Sequence, residues 1–344
     1  MKNVTMADVA DRAGVSKSTV SAVINDKDVV RDDTRERVWE AVNELDYRPS
    51  GSARRGFSAS SDKSIGFVIK ETRNPYYSEV LTGIREVAVA HDYLTLVSSS
   101  EGRFDEEKEI VKQFSKKDLS GLIITPIVNN ESDLSHIFEL KRKNIPFVLL
   151  EGVKGLRASI VDIDNVQASC EAARHLIELG HERIVHFAGP AYSDHSQKRV
   201  VGVRRAFSES HLVYTPDTEV AVGDSFEAGY KRGLEYFGDM EEAKRPTGVT
   251  CYNDLTALGL MKALRELGIS VPEEVSVVGF DDLDVLGYFP ISLTTIQVPK
   301  HEMGQQATEV LLQRIESGHS RTPKQISLEA ELVIRGSTAP PPSG

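Results

Sequence analysis

Residues 4–25 admit few folds: Val-Thr-Met-Ala-Asp-Val-Ala-Asp-Arg-Ala-Gly-Val-Ser-Lys-Ser-Thr-Val-Ser-Ala-Val-Ile-Asn. The pattern predicts two short helices joined by a tight turn. Thr5 and Ser16 stand where a side-chain oxygen can satisfy an orphan backbone N–H at each helix start. Gly14 stands at the turn, where a positive φ is needed. Val9, Ala10, Val20, Val23 and Ile24 supply one small apolar face. The second helix otherwise presents Ser16, Lys17, Ser18, Thr19, Ser21 and Asn25. A hairpin buried in a core has no use for such a run of short donors and a cation. A helix laid into a DNA major groove does.

At 344 residues the chain exceeds one ordinary core, and two or three domains are expected. Its 40% hydrophobic and 27% charged content is that of a globular protein. No apolar run approaches the roughly 18 residues of a membrane span. The polar N-terminus does not read as a signal peptide. Cys170 and Cys251 lack metal-ligand spacing, and a disulfide framework is not expected. The net charge of −11 is unevenly spread: residues 1–60 hold ten Lys/Arg and ten Asp/Glu, so the rest of the chain carries the whole excess. DNA attraction must then come from local placement of Lys2, Lys17, Arg31, Arg35, Arg54 and Arg55, while an acidic body lowers non-specific affinity.

A third helix is predicted over 32–45, with Asp32 and Asp33 at its positive end and Val38, Trp39, Val42 and Leu45 on its core face. Residues 46–63 have the Ser/Gly composition of a linker. Strand-like runs then alternate with helical ones. Strands are predicted at 65–69, 93–97, 122–125 and 147–150, and in a second series at 184–188, 219–222, 248–252 and 275–280. Helices are predicted at 75–91, 105–117, 132–143, 166–179, 197–210, 227–237 and 255–267. Such alternation argues parallel sheets covered on both faces, in two doubly wound units.

The run Val-Ala-x-x-Ala-Gly-Val-Ser-x-x-Thr-Val-Ser-x-Val-Ile-Asn, starting at Val9, resembles the headpiece signature of the lactose-repressor/galactose-repressor family of bacterial transcription regulators. The resemblance extends from residue 2 to about residue 336. It implies an N-terminal three-helix helix-turn-helix headpiece plus an α/β periplasmic-binding-protein-like core of two doubly wound parallel-sheet subdomains. The implied domains are a headpiece at 1–48, a hinge at 49–62 and an effector-binding and dimerisation domain at 63–336. Within the last, one subdomain takes about 63–163 and 294–322, the other about 164–293 and 323–336; a disordered tail occupies 337–344. The tail carries no heptad of the kind that joins family dimers into tetramers, so a homodimer on a pseudo-palindromic double-stranded operator is expected. Lys17, Ser18 and Ala22 match the family's base-reading positions, and Thr5, Ser16, Thr19, Ser21 and Asn25 its phosphate-facing ones. In the hinge, Arg54 and Arg55 are implied phosphate contacts. Gly56 departs from the family's leucine wedge, leaving Gly56 or Phe57 at the minor groove.

Ligands of open α/β sheets bind at the carboxyl ends of strands. The resemblance makes Arg199, Asn253 and Asp281 effector ligands, and the Arg and Asp forks suit a vicinal diol. Glu151 ends a predicted strand, and Tyr76, Tyr192 and Phe226 offer flat faces to a sugar ring. Asp254 and Asp282 are expected to cap helices. Val298 stands where many sugar-responsive members carry a polar residue, while Gln297 points the other way. The reading is a cytoplasmic, nucleoid-associated repressor of carbohydrate-utilisation genes, controlled by a sugar or sugar derivative. A purine-like corepressor and a phosphoprotein partner remain alternatives. No nucleophile elbow, phosphate loop, dinucleotide glycine pattern or metal cluster is found, so no enzyme, cofactor, metal or membrane role is expected.

Overall fold

The structure, a computed structural model, describes residues 4–24, 29–45, 47, 63–117, 119–128, 134–153, 155–288, 292–317 and 322–342. Asn25, Arg54, Arg55, Gly56 and Phe57, and with them the hinge assignment, lie outside the described residues. The chain divides between Lys63 and Ser64 into two units.

In the first unit, α1 (Met6–Ala13), α2 (Lys17–Ile24) and α3 (Asp32–Glu44) enclose a core of Val9, Ala10, Ala13, Val20, Val23, Ile24, Val38, Ala41 and Val42. Trp39 packs against its edge. Thr5 and Asp8 form a reciprocal capping box, with Thr5 N–H donating to Asp8 at 2.7 Å. Gly14 ends α1 at φ +64°, the left-handed cap that its lack of a Cβ permits. Ser16 Oγ accepts from Thr19 N–H at 3.1 Å and starts α2.

The second unit holds two parallel sheets and a two-stranded antiparallel ladder. Parallel strands β1 (Lys63–Ile69), β2 (Tyr93–Ser99), β3 (Gly121–Ile124), β4 (Phe147–Leu149), β5 (Ser159–Ile163) and β11 (Gln325–Leu328) form the first, in the order β11-β5-β4-β3-β1-β2. Helices α4 (Tyr76–Ala90) and α11 (Lys300–Ser317) cover one face; α5 (Phe104–Phe114) and α6 (Ser135–Arg142) cover the other. The second sheet orders β6 (Ile184–Ala188), β7 (Glu219–Ala221), β8 (Gly248–Cys251) and β9 (Ser276–Val278) as β7-β6-β8-β9. On it lie α7 (Asn165–Glu178) and α8 (Asp194–Ser208) on one side, α9 (Phe226–Phe237) and α10 (Asp254–Glu266) on the other. One apolar cluster runs from Phe67, Ile84 and Leu311 of the first subdomain through Ala173, Phe207 and Phe280 of the second.

Helix pairs cross where a glycine removes the side chain between two backbones. A Cβ on Gly202 of α8 would stand 2.3 Å from the Val166 carbonyl oxygen of α7. Gly83 and Gly304 serve the α4–α11 crossing likewise, and Gly229 and Gly259 the α9–α10 crossing.

Four segments depart from the sequence expectation. Strand β5 was not anticipated, because the buried Asp162 interrupts its apolar run. Residues 323–336, assigned to the second subdomain, do not all return to it. β11 pairs with β5 at the edge of the first sheet, while β12 (Glu331–Val333) pairs antiparallel with β10 (Thr295–Gln297). β10 in turn bridges Val278 and Asp281, so the 294–297 stretch assigned to the first subdomain extends the second sheet. The expected disordered tail is ordered through residue 342. Ser337 is fully buried and donates to the Val277 carbonyl, and the Ala339 carbonyl accepts from Ser276 Oγ at 3.0 Å. Backbone groups of the second sheet's edge are thereby satisfied by a segment whose composition resembles a linker.

Candidate nucleic-acid interface and effector cleft

In the headpiece, Ser16, Lys17 and Ser18 at the start of α2 are exposed, and Thr19, Ser21 and Ala22 are half-buried. Ser16 Oγ lies 2.7 Å from Ser18 Oγ and 2.8 Å from Thr19 Oγ1, a chain of hydroxyls at the positive end of the helix. Thr5 is exposed at the matching end of α1. This end presents donors and one cation, the groups that meet phosphates and base edges.

In the second unit a cavity opens between the subdomains at the carboxyl ends of both sheets. Tyr76, Glu151, Arg199, Asn253 and Asp281 all line it. Arg199 is held on every side: its Nε donates to Asn165 Oδ1 at 3.0 Å, its Nη1 donates to the Tyr252 carbonyl, and its Nη2 lies 3.8 Å from Asp281. The guanidinium stacks 3.5 Å from the Phe280 ring centroid and 4.7 Å from that of Tyr252. Asp281 has φ +117°, a strained value for a residue with a Cβ. Its N–H donates to the Ile296 carbonyl, and its own carbonyl accepts from Lys300 Nζ at 2.6 Å. Burial raises the Asp281 carboxyl pKa against the pull of Arg199 and Lys300.

Glu151 is fully buried and pairs with Lys70. It also accepts from Ser193 Oγ at 3.2 Å and from the His195 N–H at 3.0 Å, both at the N-terminus of α8. Burial works to raise its pKa, but Lys70 and His195 together bring it down to about 2. A second carboxylate of the first subdomain, Asp162, lies 3.1 Å from His195 Nε2 and 3.5 Å from Lys198 Nζ. Helix α8 thus joins the two subdomains through two carboxylates.

Comparison with known proteins gives the family. Residues 5–50 match the model of bacterial regulatory proteins, lacI family, and residues 173–338 match the periplasmic binding protein-like domain. An HTH-type transcriptional repressor PurR from Aliivibrio fischeri (strain MJ11) is 33% identical over 335 residues, 97% of this chain and 98% of the relative. The chain belongs to the lacI family. Its members are transcription regulators and not enzymes, and this one is a DNA-binding transcriptional repressor. The lac repressor dimer bound to operator and the anti-inducer ONPF superposes with a TM-score of 0.74 at 27% identity, covering 98% of this chain and 100% of that one. The transcriptional regulator CelR–cellobiose complex gives 0.71 at 26% identity, with 97% and 99% covered. Among the described residues no helix is long and apolar enough to cross a membrane.

Within this lacI-family core, several expected site residues stand differently. Phe226 does not line the cleft. As the first residue of α9, behind its cap Ser225, it joins Leu258 and Met261 around a separate surface cavity. Tyr192 is half-buried and is not among the cleft-lining residues; its hydroxyl interacts with Asp224. Asn253 reaches the cleft, but its amide is committed: Oδ1 accepts from Thr256 N–H at 2.8 Å and Nδ2 donates to the Asp224 carbonyl at 2.8 Å. Tyr76 donates its hydroxyl to Met303 Sδ at 3.2 Å. Asp254 does not cap α10, a role that falls to Asn253. Its carboxyl instead accepts from Thr295 Oγ1 at 2.6 Å and from Leu283 N–H at 2.9 Å. Asp282 pairs with Arg335 at 2.7 Å and accepts from Gln297 at 3.1 Å. Gln297 is exposed and Val298 is buried in the apolar cluster, as alternation along a strand requires. Sequence reasoning missed Lys70, Glu71, His195, Asp224 and Tyr252, which also line the cleft. Their signal was position: Lys70 and Glu71 follow β1, and Tyr252 follows β8.

Proposed function

We propose that this repressor binds a pseudo-palindromic operator as a homodimer and that a small molecule in the cleft switches it. The observation that carries the effector reading is the Arg199 guanidinium, stacked between two rings and facing the Asp281 carboxylate across an interdomain cavity. Such a site offers fixed donors and acceptors at a place where closure changes the relation between subdomains. Lys17, Ser18 and Ala22 read bases, and Thr5, Ser16, Thr19 and Ser21 hold phosphates. Exposed Leu94, Leu96 and Val97 on the edge strand β2, with Val89 on α4, favour a second copy as partner. With operator DNA as its partner, the protein works in the cytoplasm.

A sugar-like effector controlling carbohydrate genes is the first reading. It is supported by solved relatives described with cellobiose and, for an Enterococcus faecium regulator 27% identical over 81% of this chain and 99% of that one (TM-score 0.71), with ribose. The relatives named PurR favour a purine-type corepressor as the second. Operator binding measured with cellobiose, ribose and hypoxanthine distinguishes them. Asp281→Ala is expected to abolish the response to whichever ligand acts while operator binding without ligand persists. A normal ligand response in that variant overturns the cleft assignment.

A further inference from the structure

We propose that Lys300 is the positioning residue through which the effector cleft acts on the first subdomain. Its ammonium straps the turn that carries Asp281, in the second subdomain, to Glu79 on α4. This inference rests on the cleft being the effector site and concerns the regulation of that site. Lys300 is the first residue of α11, is 3% exposed, and is not among the cleft-lining residues.

The three N–H donors of the ammonium meet three acceptors. Lys300 Nζ donates to the Asp281 carbonyl at 2.6 Å and to the Asp282 carbonyl at 2.8 Å, and it lies 3.3 Å from Glu79 Oε2. Two successive carbonyls converge on one ammonium because the backbone there is unusual. Asp281 has φ +117° and Asp282 has φ +54°, both values that a side chain disfavours. The other bonds of this turn stay in the second subdomain. Leu283 N–H donates to Asp254 Oδ2 at 2.9 Å, and the Asp282 carboxylate pairs with Arg335 at 2.7 Å. Glu79, by contrast, belongs to the α4–α11 pair that covers the first sheet, where Gly83 and Gly304 let the two helices touch. The ammonium thus joins a strained turn of one subdomain to a helix pair of the other.

A buried ion pair adds little stability over an apolar pair of the same shape; what it imposes is one arrangement of its partners. Three fixed acceptors around one ammonium are such an imposition. A ligand that moves the Asp281 turn moves both carbonyls. So little exposed, the ammonium cannot exchange a lost carbonyl for water, and turn and helix pair move together or the bonds break unreplaced. Helix α4 also carries the exposed Val89 of the face proposed for the second copy. A displacement at Asp281 thereby reaches that face through one continuous set of bonds, the physical link that coupling between two sites needs.

The test uses the full-length protein. Without ligand, the amides of residues 281–284 are expected to exchange hydrogen at least about tenfold faster in Lys300→Met than in wild type. Glu79→Gln changes only the first subdomain and leaves both carbonyl bonds possible, yet the same amides are expected to exchange at least about threefold faster. Wild-type exchange at 281–284 in Glu79→Gln overturns the proposal, whether or not Lys300→Met folds. A second arm reads operator binding by fluorescence anisotropy and ligand binding by calorimetry, with cellobiose, ribose and hypoxanthine. The ligand that acts on wild type is expected to bind Glu79→Gln within about threefold of its wild-type Kd. Its effect on operator affinity is expected to fall from the roughly 5–150-fold of ordinary allosteric coupling to below about threefold. A positioning residue separates binding from response in this way, whereas a merely structural one weakens both together or neither. An undiminished effect in Glu79→Gln, or lost ligand binding, overturns the strap and leaves the cleft reading standing. An effect that persists in Asp281→Ala refutes the cleft reading and the coupling with it. If none of the three ligands acts, the exchange result alone decides.

Discussion

Glu151→Gln tests whether the cleft is held by charge or by shape. The carboxylate is 1% exposed, and its Lys70 partner's side chain is 12% exposed. Glutamine keeps the volume and one oxygen for the Ser193 hydroxyl and the His195 N–H. Its amide nitrogen then faces the Lys70 ammonium, donor against donor. Breaking a buried pair by removing one partner costs about 3–5 kcal/mol. The residual exposure of Lys70 places the expected loss at the lower end, about 3 kcal/mol, or roughly 160-fold in the folding equilibrium. For a unit of this size that lowers the melting temperature by about 5 °C. Calorimetry and far-UV circular dichroism are the assays, because Trp39 is the sole tryptophan and belongs to the headpiece. Lys70→Met combined with Glu151→Gln removes the stranded cation and is expected to recover much of the loss. The pH dependence has a definite sign. The folded carboxyl titrates near 2, below its ordinary range. Its stabilisation is thus complete above about pH 4.5 and disappears as pH falls toward 2, and Glu151→Gln flattens that decline. A loss below about 1 kcal/mol, or a double variant no more stable than Glu151→Gln, refutes the reasoning.

Three further outcomes are expected. Gly202→Ala forces a Cβ to within 2.3 Å of the Val166 carbonyl oxygen, so the α7–α8 crossing must open. The net loss is about 1–3 kcal/mol despite alanine's better helix propensity, and an unchanged or higher melting temperature contradicts it. Asp254→Asn gains stability relative to wild type as pH rises above about 4, because burial and the neighbouring Asp281 and Asp282 hold the folded carboxyl protonated while the unfolded one ionises. Melting temperatures of the two proteins across pH 4 to 8 that run parallel dismiss that account. Lys17→Ala is expected to cost roughly 1–3 kcal/mol on the cognate operator and to relax sequence preference at one position, read by fluorescence anisotropy on operator variants. Equal weakening on all DNA makes Lys17 a phosphate contact only.

The headpiece was legible because its signals are local. Thr5, Gly14 and Ser16 cap and turn helices using atoms within four residues, and the core positions recur at helical spacing. The alternation that predicted two parallel sheets is equally local, since each strand's apolar run reflects burial on both faces. Strand-end placement singled out Glu151, and the family resemblance Arg199, Asn253 and Asp281; with Tyr76 these residues line one cavity. What tertiary structure alone decided was how those groups are used. Asn253 is drawn into capping by the neighbouring helix start, and Phe226 turns with the first residue of α9 away from the cleft. Residues 325–333 divide between two ladders because open strand edges, not composition, determine where a late segment pairs. The same holds for the proline-rich tail, whose backbone groups and Ser337 fill the bonds of the second sheet. Charge pairing is the least local property. Lys70 and Glu151 are 81 positions apart, and Glu71 and Asp224 approach one cavity from different subdomains. A sequence records that these carboxylates and cations exist; only the folded chain sets which of them cancel and which are left facing the cleft.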